Sequence, residues 1–243
     1  MKKRLFLILW LFGMIGVLSL LLVDISALIA MLPQTAGDPV ELPPPALLML
    51  ATIFQPAVLT TIAVLVGVLL ANRVGLHSPA AEAWARGESP ITPLRRQLLP
   101  GIATGLAGGI TIAFIWVIAK PFLSAEFILR AEGFNKLLPH AVRFLYGGFT
   151  EEILLRWGFM TFLVWTMWRL LKKGRGEPAS YMFVFAIILS SLLFGIGHLP
   201  VASILNNGLD LPIFALVDGL LELARARRCH GHELERVTNL RTI

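Results

Sequence analysis

The sequence predicts an all-α fold, a polytopic transmembrane bundle of about six helices, and three observations carry that reading. Hydrophobic residues make up 56% of the chain and charged ones only 15%, beyond the roughly 45–50% apolar share of soluble domains. The mean hydropathy is +0.77. Apolar runs of the length needed to cross a bilayer, about 20 residues each, recur with basic connectors between them. Residues 1–243 read as a single membrane domain, with amino-terminal helices and an interfacial segment over 1–136, a core over 137–223 and a charged tail over 224–243.

A formal charge of +6 and a pI near 10 would suit nucleic acid. Here the basic residues cluster between apolar runs, where they set orientation against anionic lipid. The expected partner is therefore membrane lipid, and nucleic acid is not expected. Cys229 is the single cysteine, which excludes an internal disulfide and any cysteine-based zinc site.

The opening Met1-Lys2-Lys3-Arg4 imitates a signal peptide. A secretory apolar core is about 7–15 residues long, whereas this run continues from Leu5 to Val23 and resumes after Asp24. It reads as an uncleaved first span over 5–32. A Pro-rich acidic connector without Lys or Arg follows. The second helix covers 46–71, with Pro56 as a kink that neighbouring helices tolerate. The polar segment 72–96 carries Arg73, Arg86, Arg95 and Arg96, and a short surface helix over 80–86. A third helix over 98–119 places Gly101, Gly105 and Gly109 on one face, a spacing that lets helices approach closely in lipid. Residues 121–139, with Glu126, Arg130, Glu132 and Lys136, read as interfacial. The fourth helix opens at the interface with His140 and Arg143 and leaves the membrane through Trp168-Arg169 into Lys172-Lys173-Gly174-Arg175. The fifth, over 180–199, ends in Phe194-Gly195-Ile196-Gly197-His198-Leu199-Pro200, and a weaker apolar segment over 211–223 makes a sixth. Positive charge at the amino terminus, after helices two and four and in the tail, against an acidic first connector, places the amino terminus in the cytoplasm.

The fourth helix carries the chemistry. Glu151, Glu152 and Arg156 interrupt a stretch otherwise built for lipid, where a charge costs roughly 2.5–3.5 kcal/mol. Glu152 and Arg156 are about 40° apart on a regular helix and can pair, whereas Glu151 and Arg156 are about 140° apart and cannot. Glu151 is thereby left without a basic residue on its own turn, available as a general base toward water. Counting from Arg169 and from Ser180, Glu151 and His198 both lie about 27 Å outward at 1.5 Å per residue, so two helices deliver a carboxylate and an imidazole to one depth. His198 follows Phe194 on the same face, while Gly195 and Gly197 thin the helix around it. It can orient an attacking water or hydrogen-bond a developing oxyanion. Phe194 and Trp157 are the expected lining residues. The other function class these residues allow is a non-catalytic scaffold or transporter, with Glu151, Glu152, Arg156 and His198 as a buried polar network.

Glu151-Glu152-x-x-x-Arg156 followed by Phe194-x-x-x-His198 resembles the CPBP intramembrane protease family, which includes CAAX prenyl protease 2 and bacteriocin-processing or self-immunity (Abi) proteins. The resemblance covers about 137–200. It implies hydrolysis of a peptide bond in a membrane-associated, prenylated or other, protein or peptide of the bacterial cell membrane. Glu151 would be the water-activating base, supported by Glu152 and Arg156 and assisted by His198. No HExxH pair argues for zinc, but Glu151, Glu152 and His198 leave a divalent metal open. Relatives usually carry a further His, with an Asn or similar residue a turn later, on a last apolar helix. Here the tail reads Leu223-Ala224-Arg225-Ala226-Arg227-Arg228-Cys229-His230-Gly231-His232-Glu233. His230 and His232 point to different helix faces and read as a solvated tail. Asn206, Asn207 and Asp218 are the nearest substitutes, and the departure implies a truncated or frame-shifted carboxyl terminus with impaired activity.

Overall fold

The computed structural model describes residues 1–30 and 43–205. The chain divides into two compact units, Met1–Leu199 and Pro200–Ile243, and most of the second lies outside the described residues. So do the expected sixth helix over 211–223, Asn206, Asn207, Asp218, Cys229, His230 and His232.

Every regular element among the described residues is helical: α1 (Lys2–Ser19), α2 (Ile25–Ala30), α3 (Pro45–Leu70), α4 (Pro79–Arg86), α5 (Ile91–Ala119), α6 (Ala125–Leu137), α7 (140–171) and α8 (Ser180–Leu205). Lys2–Leu22, Pro45–Arg73, Ile91–Phe122 and Ser180–Leu199 are long and apolar enough to cross a membrane. The protein is an all-α helical bundle. The first apolar run does not continue through Asp24 as one helix. It turns extended at Val23, and the Asp24 carboxylate accepts the Ala27 N–H at 3.0 Å to start α2, an N-cap that competes with helix continuation. Further on, α5 begins at Ile91, before the expected 98, and α8 runs past Leu199 to Leu205. Neither Pro100 nor Pro200 ends its helix.

The core is a close meeting of α1, α3 and α7, made possible by small residues. Gly16 of α1 lies against Thr150 and the Leu145 carbonyl, Gly67 of α3 lies against the Trp157 indole, and Gly158 of α7 lies against Ala63 of α3. Lipid tails are as apolar as leucine, so packing and hydrogen bonds hold such helices together. Two hydrogen bonds do so here. The fully buried Thr150 hydroxyl donates to the Gly13 carbonyl at 2.8 Å, and the Trp10 indole N–H donates to the Thr61 hydroxyl at 2.9 Å. The amino-terminal half of α8 rests on the end of α7, through Ala186 and Phe183 against Val164 and Trp168.

The expected glycine stripe on α5 does not work this way. Among the described residues nothing lies within 4 Å of where a Cβ on Gly101, Gly105 or Gly109 would stand. Among the described residues none buries any part of that apolar span. On the polar side, α4 ends at Gly87 with φ +84°, and the Arg86 guanidinium donates two hydrogen bonds of 2.9 Å to Glu88, which hold its carboxyl below the usual carboxylate range.

Candidate active site

The backbone of α7 is wider than a regular α-helix. Residues Arg143–Thr150 and Ile153–Met160 are π-helical, either side of Glu151 and Glu152. In a π-helix each N–H reaches back five residues, and such turns concentrate at functional sites. Accordingly the Glu151 N–H donates to the Tyr146 carbonyl. The wider turn sets Tyr146 above Glu151, and a Cβ on Gly147 would stand 3.6 Å from the Glu151 Oε2.

Glu151 and His198 line one cavity of about 530 Å³. Its walls are apolar: Leu59, Ile62 and Val66 from α3, Leu155, Phe159 and Phe162 from α7, with Phe194 and Gly197 from α8. Tyr146, Glu151 and His198 are the hydrogen-bonding side chains of this lining. Phe194 packs edge to face on His198 with ring centroids 4.5 Å apart. Its backbone carbonyl lies 2.8 Å from the His198 Nδ1. A carbonyl only accepts, so Nδ1 carries the hydrogen of that bond and Nε2 is the nitrogen left for another partner.

Glu152 and Arg156 lie elsewhere. Their carboxylate and guanidinium pair at 3.0 Å, as their four-residue spacing predicts. They line a second cavity of about 510 Å³ among α1, α4 and α7, together with Trp157, His77 and Trp84. Trp157, expected beside Glu151, belongs to this second cavity, its indole nitrogen against Gly67. Among the described residues no hydrogen bond or ion pair joins Glu152–Arg156 to Glu151–His198. The four side chains therefore do not form one bonded network.

A divalent metal needs several donors aimed at one point. Among the described residues no three His, Cys, Asp or Glu side chains are grouped to hold one. Glu152 lines the other cavity, so among the described residues Glu151 and His198 are the carboxylate and imidazole donors of this one. Sequence reasoning missed Tyr146. Five residues from Glu151, it falls on a different face of a regular α-helix, and its placement depends on the π-helical backbone.

The cavity between α3, α7 and α8 thus has apolar walls and presents one carboxylate and one imidazole. Residues 133–228, less than half of the chain, match the family model for Type II CAAX prenyl endopeptidase, Rce1-like. This agrees with the CPBP resemblance read from the motifs, and the matched segment contains Glu151, Glu152, Arg156 and His198. That family is one of proteases, and together with four helices apolar enough to span a bilayer the match supports an integral membrane protease of the CAAX type in general terms. No curated protein and no solved structure matches the chain.

Proposed function

We propose that the protein is an intramembrane endopeptidase that hydrolyses a peptide bond of a membrane-associated protein or peptide, with Glu151 as the base and His198 as its assistant. One observation carries this reading: α7 and α8 each contribute one proton-handling side chain to the same apolar cavity. Glu151 takes a proton from a water whose oxygen attacks the scissile carbonyl carbon. The His198 Nε2, available because Nδ1 is tied to the Phe194 carbonyl, accepts a hydrogen bond from that water and orients it. The carbonyl electron pair moves to oxygen. When the tetrahedral species collapses, the C–N bond breaks and the proton held by Glu151 passes to the leaving amine. Glu152 and Arg156 support the helix through their ion pair and do not touch the reacting atoms. The apolar walls favour a substrate with a lipid-like or apolar segment, a prenylated chain among them, and Phe194 shapes the wall beside His198. The Lys/Arg asymmetry supports an amino terminus on the cytoplasmic side.

The test is a comparison of membrane peptides from cells carrying wild-type protein, Glu151→Ala or His198→Ala. Cleavage products present with wild type and lost with both variants, at equal membrane accumulation, support the reading. Identical peptide profiles in all three refute it.

A further inference from the structure

The geometry points to Tyr146 as the oxyanion donor of this site. This deepens the hydrolytic reading and rests on Glu151 being the base. Attack on a carbonyl leaves negative charge on its oxygen, and a donor aimed at that oxygen is worth the most where water is scarce. Neutral His198 cannot be that donor. Its one N–H is spent on the Phe194 carbonyl 2.8 Å away, so its other nitrogen can only accept. Glu151 takes a proton at this moment and gives none.

Tyr146 meets the requirement. Its carbonyl accepts the Glu151 N–H, so the two residues sit one π-helical turn apart, and both line the cavity with His198. Among the described residues the phenol has no hydrogen-bond partner, so its O–H is free to donate. The base and the donor then approach the substrate from the same helix, and the water held by His198 approaches from the next. As the carbonyl electrons move to oxygen, the Tyr146 O–H donates to that oxygen without transferring its proton. When the C–N bond breaks the carbonyl reforms and the phenol is unchanged.

The test uses full-length protein in phospholipid vesicles and a fluorogenic peptide bearing a farnesylated cysteine, with Glu151→Ala run alongside. Tyr146→Phe removes one oxygen and keeps the ring. It is expected to lower kcat by about 10²–10³, with KM, membrane accumulation and the acid limb of the pH profile unchanged. Wild-type kcat in Tyr146→Phe beside an inactive Glu151→Ala overturns the assignment alone, whereas a fully active Glu151→Ala, or a wild type that does not cleave, removes the hydrolytic reading beneath it. A fall in kcat that comes with a moved acid limb also overturns it, since Tyr146 would then act by adjusting Glu151. If Tyr146→Phe does not accumulate, 3-fluorotyrosine at this position keeps the shape and acidifies the phenol. The alkaline limb of kcat then moves to lower pH, and an unmoved limb overturns the assignment.

Discussion

Replacing Gly158 by alanine probes the contact that shapes the cavity. Gly158 lies where α7 crosses α3, and both it and Ala63 line the cavity that holds Glu151. A methyl group there would stand 2.6 Å from the Ala63 Cα and 3.0 Å from its carbonyl oxygen. Ordinary carbon contacts need about 3.5–4.0 Å. The Ala63 Cβ obstructs it as well; none of the three atoms moves on side-chain rotation, so the helices must part by about 1 Å. Overpacking of this kind costs about 1–3 kcal/mol, or roughly 5–150-fold in the ratio of folded to unfolded protein. Ala63→Gly added to Gly158→Ala removes a Cβ but leaves the same Cα and carbonyl in place, so the double variant stays destabilised. Gly195→Ala is the internal control, because among the described residues nothing lies within 4 Å of its Cβ position, and it should gain about 0.5–1 kcal/mol. The assay is reversible unfolding in mixed micelles, read as the midpoint of a denaturing-detergent titration. An unfolding midpoint for Gly158→Ala at or above that of wild type would refute the close α3–α7 packing.

Other consequences are equally direct. Thr150→Val keeps the shape but deletes the hydrogen bond to the Gly13 carbonyl, and should cost about 0.6 kcal/mol, with about 1.7 as the upper end for such bonds in membranes; the same titration measures it. Arg156→Ala breaks the 3.0 Å pair with Glu152 and should reduce the protein recovered from membranes while turnover per folded molecule persists, measured as cleavage normalised to folded protein. Loss of turnover equal to that of Glu151→Ala would place Arg156 in the chemistry instead. Phe194→Ala removes the ring packed on His198 but keeps the carbonyl that holds its Nδ1. It should therefore change which peptides are cleaved more than the maximal rate, as a side-by-side series of prenylated and unprenylated peptides would show.

Much of this arrangement was legible in the residues because membrane solvation leaves few options. An apolar run in lipid has to close its backbone hydrogen bonds within itself, so composition alone led to helices. Loop positions then led to a shared depth for Glu151 and His198, and the two do line one cavity. The i, i+4 rule gave the Glu152–Arg156 pair, which the structure contains. What escaped depends on departures from the regular α-helix or on which helices happen to meet. The π-helical stretches of α7 bring Tyr146 over Glu151, and a pattern read at 3.6 residues per turn has no place for that five-residue neighbour. Trp157, an expected lining residue, does not line the cavity of Glu151 and turns to α3, where Gly67 leaves room for the indole. The glycines that permit close packing are Gly16, Gly67 and Gly158. The regular stripe on α5 has no facing atoms among the described residues, because spacing shows that a helix can be approached and not that a neighbour does so. Asp24 carried its signal in plain view, since an acceptor side chain before Ile25-Ser26-Ala27 is a helix start.

The most direct test is a double-mutant cycle on cleavage by protein reconstituted in vesicles, with Glu151→Ala, His198→Ala and the two combined. Residues that act on one water as a unit are strongly non-additive, so the combined variant should be scarcely slower than either alone. Two losses that multiply would mean that the carboxylate and the imidazole work independently, and would contradict a shared site between α7 and α8.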